Sequence, residues 1–259
     1  MKISVVTVCF NSEKTIRHTV ESFLRQRHPD KEMLVVDGCS RDRTVEIVRG
    51  YQSPDIRVTS ESDKGIYDAM NKGLKSFGGD AVGFLNSDDA FHSEHTLSRI
   101  HDALQGADIA YGDLFMVSDQ ESKRLVRSWK AGPFTPSSFR LGWVPPHPTF
   151  YVRREVAAAV GEFDLKYKIA SDYDFMLRAM MKFQFRSAGI PEYLVDFQMG
   201  GASSANLRNM IQGNLECLDS RRRHLGGGPV DLALFIRPAR RLSQILERPT
   251  ASPQGELRR

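Results

Sequence analysis

Four short apolar runs punctuate the first 90 residues, and each gives way to a polar cluster: Ile3–Val8, Met33–Val36, Ile56–Thr59 and Ala81–Leu85. Between them lie stretches with helical spacing. Ile16, Val20, Phe23 and Leu24 make one apolar stripe, and Ile66, Met70, Leu74 and Phe77 make another. Asp42–Tyr51 is more weakly periodic, and Asn11 or Ser12 is placed to cap the first helix. Strands this short and uniformly apolar are buried on both faces, and parallel strands must be joined by crossovers, usually helical. The pattern therefore predicts an α/β domain built on a mostly parallel sheet flanked by helices.

The second half is less regular. Tyr111–Val117 and Leu125–Trp129 are expected to pair as a hairpin around polar residues Ser118–Lys123. Gly132–Pro148, rich in proline and glycine, reads as an ordered loop, and Tyr173–Met181 as a helix. After the Gly/Ser loop Gln198–Ser204 come a helix over Asn206–Arg223, a break at Gly226-Gly227-Gly228-Pro229 and a last helix over Val230–Glu247. The expected organisation is one domain over residues 1–204, with a regular half to about residue 115 and a less regular half from 116 to 204. C-terminal helices over 205–248 form an extension, and 249–259 read as a disordered tail.

Charge and cysteine usage bound the partners. The chain carries +4 overall, but nine arginines stand against four acids after residue 218, so the main domain is close to neutral. No basic patch on that domain is implied, and nucleic acid is not an expected partner. Cys9, Cys39 and Cys217 are odd in number and widely spaced, as reduced cytosolic thiols would be, and they lack zinc-site spacing. No apolar run approaches the roughly 20 residues that span a bilayer. The chain enters its first strand at Ile3 without a cleavage signal, so a cytoplasmic location is expected.

In open parallel sheets, ligands bind beyond the carboxyl ends of the strands. Those ends carry Thr7, Cys9 and Asn11; Asp37, Gly38 and Ser40; Glu61 and Asp63; and Asn86, Ser87, Asp88 and Asp89. Any one of these fits an ordinary turn or cap. Together they make an acid-rich crevice, poor for a phosphate unless a cation is present. The carboxylates of Asn86-Ser87-Asp88-Asp89 repel one another, and hard oxygen ligands suit magnesium or manganese, which also bind diphosphate. An Asp-rich turn explains the same residues equally well. Asp172 and Asp174 sit at a helix start, where acids are favoured in any case, yet a carboxylate here can also take a proton from a hydroxyl. His147, held between Pro146 and Pro148, has a restricted backbone.

Taken in order, these segments resemble the inverting glycosyltransferase family two, whose fold is called GT-A. The matching stretches are Val5–Asn11, Val35–Thr44, Asp63–Gly73, Phe84–Asp89, Pro146–Phe150 and Ser171–Asp174. The resemblance covers about residues 1–204 and is strongest to bacterial enzymes that build surface glycans. It implies a nucleoside-diphosphate sugar as donor, UDP favoured, and a glycan or lipid-linked glycan as acceptor. It implies Thr7, Cys9, Asn11, Asp37, Gly38, Ser40, Asp63, Lys64, Asn71, Asn86 and Ser87 as donor-lining residues, with Asp37 on the base. Asp88 would hold Mn2+ or Mg2+, and Asp172 would be the catalytic base. Asp89, His147 and Asp174 would contact diphosphate or acceptor. This chain has Asn86 where the family usually has Asp, and Ser171 before the base where Glu is common. Two other readings stay open: a non-catalytic nucleotide-sugar-binding subunit and a sugar-1-phosphate nucleotidyltransferase. No Gly-x-Gly-x-x-Gly follows the first strand, which argues against a dinucleotide enzyme.

The arginine-rich end admits two readings. Arg221-Arg222-Arg223 and then Arg237, Arg240 and Arg241 flank apolar residues such as Leu232, Phe235, Leu242 and Leu246. These apolar residues either pack on the domain or a second copy, or they rest on the anionic inner face of the cytoplasmic membrane. There each nearby arginine would add about 1 kcal/mol.

Overall fold

The computed structural model describes residues 1–200, 207–226 and residue 233. The first half alternates as expected: β1 (Ile3–Cys9), α1 (Ile16–Leu24), β2 (Lys31–Asp37), α2 (Thr44–Arg49), β3 (Ile56–Ser60), α3 (Ile66–Ser76) and β4 (Ala81–Phe84). The second half adds β5 (Ala90–Phe91), α4 (Thr96–Gly106), β6 (Ile109–Val117), β7 (Leu125–Trp129), β8 (Tyr151–Arg153), α5 (Arg154–Val160), α6 (Ser171–Leu177), β9 (Ser187–Gln198) and α7 (Leu207–Leu225). All nine strands join one sheet in the order β3-β2-β1-β4-β8-β6-β9-β5, with β7 paired to β6.

The two halves of the sheet differ. From β3 to β4 every pairing is parallel, with Cys9 in register with Asp37 and Asp37 with Ser60. The polar ends of β1, β2 and β3 therefore stand side by side. Beyond β4 the pairings are mixed: β6 and β9 are parallel, whereas β8 runs antiparallel to both β4 and β6, and the predicted β6–β7 hairpin forms.

Side chains of β1 alternate between two cores. Ile3, Val5 and Cys9 pack with α1 and α4 through Ile16, Val20, Phe23, Leu97 and Ile100. Val6 and Val8 face the other way, toward Tyr67 and Met70 of α3 and the aromatic cluster of the second half. Burying each large apolar side chain contributes roughly 1.5–3 kcal/mol. The α3 stripe holds at Met70 and Phe77, which are buried, but Ile66, its first residue, is 49% exposed, and Tyr67 and Asn71 are buried as well. Neither Asn11 nor Ser12 caps α1 with its side chain. The helix begins after a turn, and the Ser12 carbonyl accepts the Thr15 and Ile16 amides.

Close backbone approach fixes the junction between the halves. Gly83 of β4 pairs with the fully buried Tyr151 of β8, and a Cβ at Gly83 would lie 2.3 Å from the Tyr151 ring. Gly83→Ala is therefore an overpacking change costing about 1–3 kcal/mol. The thermal midpoint of the variant should fall by several degrees; an unchanged midpoint would show that the ring moves aside freely.

The helix expected at Tyr173–Met181 starts earlier, at Ser171, and runs into a π turn over Arg178–Lys182. α7 packs on α6 and extends the expected Asn206–Arg223 helix to Leu225. Of the arginine triplet, Arg222 is exposed. Arg221 is buried against the ring and hydroxyl of Tyr173, and Arg223 pairs with Asp164 at 2.6 Å. The final predicted helix over Val230–Glu247 lies outside the described residues apart from Ala233, as does the tail over 249–259. No helix among the described residues is long and apolar enough to cross a membrane.

Candidate active site

The crevice is built where β1, β2 and β4 end. Hydrogen bonds cross-link the loops that follow them. The Asn11 amide donates to Ser40 Oγ (2.8 Å), the Arg41 amide to Asn11 Oδ1 (2.9 Å), and the Ser12 amide to Thr44 Oγ1 (2.7 Å). Ser12 and Ser87 share a hydrogen bond of 2.9 Å between their hydroxyls, which ties the β1 loop to the β4 loop. Asn11 holds a left-handed backbone (φ 50°), which asparagine tolerates, and Phe10 beside it is 60% exposed.

Several residues expected to line the donor pocket are enclosed instead. Thr7 is fully buried with its hydroxyl unpaired, and Cys9 is buried with its thiol directed at Asp37 (3.7 Å). Burial and the Asp37 charge push that thiol far above its ordinary range, so it stays protonated. Both lie in a strand covered on both faces, and even its last residues face packing. Asn71 is a brace, with its amide nitrogen on the Phe163 carbonyl (3.0 Å) and its oxygen on the Phe163 amide (2.8 Å). Asp37 is also fully buried. It accepts from the Ser40 amide (3.0 Å), the Ser40 hydroxyl and the Ser60 hydroxyl (2.6 Å), so it organises the loop and has no face left for a base. The more accessible carboxylate is Asp63. It accepts the Gly65 amide (2.8 Å) and reaches the glycine backbone at Gly38, where a Cβ would lie 2.5 Å from its oxygen. Asn11, Gly38, Ser40 and Asp63 thus gather in one crevice with Phe10. Lys64 is exposed, and its amide bonds Asp68 at 2.9 Å.

The motif after β4 divides its labour. Asp89 is fully buried, takes the Asn86 amide (2.9 Å) and the Gln198 amide (3.0 Å), and is held protonated-prone by burial and by Asp88. Asp89 is therefore a strut between this loop and β9 and not a diphosphate contact. Asp88 is partly exposed, and its carboxyl is raised by burial, opposed only by a hydrogen bond from its own amide. Gln120, unremarked in the sequence, holds the Asp88 carbonyl (3.1 Å) and the Asp196 carbonyl (2.8 Å). A divalent cation fits this chemistry, because it would favour the ionised form of Asp88. Among the described residues there is no cluster of three ligating side chains. The remaining oxygens would have to come from diphosphate and water, the arrangement magnesium commonly adopts.

Asp172 and His147 line one cavity. Asp172 is partly exposed, accepting from the Tyr173 amide (2.8 Å) and the Tyr67 hydroxyl (3.1 Å). Tyr67 also reaches the Ile169 carbonyl (2.8 Å) and orients the loop before α6; nothing in its spacing had marked it. The His147 ring stacks on Phe84 at the end of β4 (centroids 5.5 Å apart) and meets Phe163 edge-on. His147 therefore bridges the end of β4 and the cavity that holds Asp172. Burial lowers its pKa while the Asp172 charge opposes the shift. In Asp172→Asn the opposing charge is gone, so the His147 titration followed by NMR should move further down. A midpoint that rises or stays fixed would show that the two groups do not sense each other.

Asp174, also expected at the site, is turned away from it. It is buried, pairs with Arg178 (2.8 Å), and accepts from Ser220 (2.8 Å), with His224 at 3.1 Å. Its role is to fasten α6 to α7.

A parallel half-sheet ending in a polar crevice, with a carboxylate lining a second cavity, is the architecture of the GT-A fold. The family model for glycosyl transferase family 2 matches residues 4–158, and the chain belongs to that family and is a glycosyltransferase. The match stops short of Asp172. The chain is 31% identical over 229 residues to glycosyltransferase Rv1514c of Mycobacterium tuberculosis, covering 87% of this chain and 86% of that protein. It is 28% identical over 182 residues to a PGL/p-HBAD biosynthesis glycosyltransferase of Mycobacterium bovis, covering 68% of each. Among solved structures it is similar to glucosyl-3-phosphoglycerate synthase from Mycobacterium tuberculosis in complex with Mn2+, UDP and phosphoglyceric acid. That likeness has a TM-score of 0.62 at 16% identity, covers 88% of this chain and 79% of that one, and shows the fold.

Proposed function

We propose that this glycosyltransferase moves a sugar from a nucleoside-diphosphate sugar to a hydroxyl of a glycan or lipid-linked glycan in bacterial surface-glycan synthesis, with inversion. The observation that carries the reading is the partly exposed Asp172 carboxylate, oriented by Tyr67 and the Tyr173 amide beside His147. The donor base would lie among Phe10, Asn11, Gly38 and Asp63, and a UDP donor is favoured because the related fold binds UDP. Asp88 would hold Mn2+ or Mg2+ together with the diphosphate. Such a cation stabilises negative charge growing on the leaving diphosphate.

Asp172 takes the proton from the acceptor hydroxyl. The hydroxyl oxygen forms its bond to the anomeric carbon as the bond from that carbon to the diphosphate oxygen breaks on the opposite face. One displacement inverts the centre. The test is a screen of nucleotide sugars with and without manganese, reading released nucleoside diphosphate. Release from at least one donor, lost with chelator, is the expected result. Binding without release would favour a non-catalytic subunit, and pyrophosphate released from a nucleoside triphosphate and a sugar 1-phosphate supplied together would favour a nucleotidyltransferase.

A further inference from the structure

The cavity at Asp172 extends well beyond the reacting group. Its volume is about 650 Å³, within the range of small-molecule sites. Trp129, Trp143, Val144, Met176, Met199 and Met210 give it a largely apolar wall, and Asp172 and His147 are among its polar residues. A sugar alone is poorly matched to such a wall, because hydroxyls placed against methionine and valine lose hydrogen bonds to water without replacement.

Three of the apolar lining residues are also exposed: Val126 by 47%, Met199 by 42% and Met210 by 40%. Apolar side chains left in water together mark a binding surface. Methionine adapts to ligands of irregular shape. Ile211 (52% exposed) and Leu215 (58%) continue the apolar surface on α7, whose Met210, Gly213 and Asn214 line the cavity itself.

We propose that the acceptor is an amphiphile: its apolar aglycone, an acyl or aryl group, fills this cavity while its sugar hydroxyl lies at Asp172. The inference rests on the transferase reading of Asp172 and names the acceptor class for that site. It accounts for a cavity larger than the reacting group needs and for apolar residues carried to its edge on α7.

Both tryptophans of the chain line the cavity, so their fluorescence reports occupancy without any turnover. The experiment titrates methyl, butyl, hexyl and octyl glucosides below their micelle concentrations. The emission change should saturate, and Kd should fall roughly tenfold for each two added methylenes until the cavity is full. Met210→Asp and Val126→Asp should each weaken octyl glucoside about tenfold, the reverse of roughly two buried methylenes. A Kd independent of alkyl length in the wild-type protein overturns the proposal, whatever the variants do. In a second arm, octyl and methyl glucosides compete as acceptors with an active donor, and equal kcat/KM for the two also overturns it. Chain-length-dependent binding with no turnover of any donor would instead count against the transferase reading and leave the apolar site standing.

Discussion

Asp172→Asn is expected to lower turnover about 10²- to 10⁴-fold, the span of general-base catalysis. The amide keeps the size of the carboxylate and can still accept from the Tyr67 hydroxyl and the Tyr173 amide, so the loop before α6 should hold its shape. What it cannot do is take a proton. Donor affinity should change little, which is the pattern of an interaction made only in the transition state. Tyr67→Phe removes one of the two groups that orient the carboxylate and should cost about tenfold in kcat, in keeping with a hydrogen bond to a charged group. Asp174→Asn should behave differently. It leaves Arg178 buried without its carboxylate, and breaking such a pair typically costs about 3–5 kcal/mol, so the loss should appear in thermal stability. Wild-type turnover in Asp172→Asn would remove this residue from the mechanism.

Asp88→Ala should reduce transfer about 10²- to 10³-fold, the loss typical when one stabiliser of developing negative charge is removed. UDP binding measured by calorimetry should also lose its dependence on manganese. The prediction is sharp because the neighbouring groups are committed elsewhere: Asn86 bonds Asp89, and Asp89 braces β9. No second side chain of the motif is positioned to replace Asp88. Full activity of the variant in the presence of chelator would show that the cation is held elsewhere or is not used.

The parallel half of the fold was legible because β1, β2 and β4 are largely buried on both faces and their ends are polar, although the edge strand β3 is partly exposed. Periodicity and composition then carry nearly all the information. The mixed half was harder. β8 is only three residues long and β5 only two, and their pairing is set by contacts distant in sequence, such as Gly83 against Tyr151. Residue types alone did not separate ligands from supports. Asp37, Asn71, Asp89 and Asp174 look like site residues in sequence, and each proves to be a buried brace. An acid at a strand end can face the crevice or the packing, and only the register decides between them. Tyr67 and Gln120 were missed for the opposite reason, since each acts through long-range hydrogen bonds with no local signature.

The fastening of Asp174 to Ser220 and His224 bears on how the protein is made. Asp174 is synthesised some 50 residues before the partners that complete its shell. Until α7 has left the ribosome, the helix that carries Asp172 is held at this carboxylate by Arg178 alone. The crevice of Phe10, Asn11, Gly38, Ser40 and Asp63 draws on the first 63 positions and has no such wait, whereas the Asp88 loop is braced later, by Gln120 and Gln198. The growing chain can therefore assemble the crevice proposed for the nucleotide well before the helix that carries Asp172 is sealed. An unfinished chain would be more able to hold a donor than to use it.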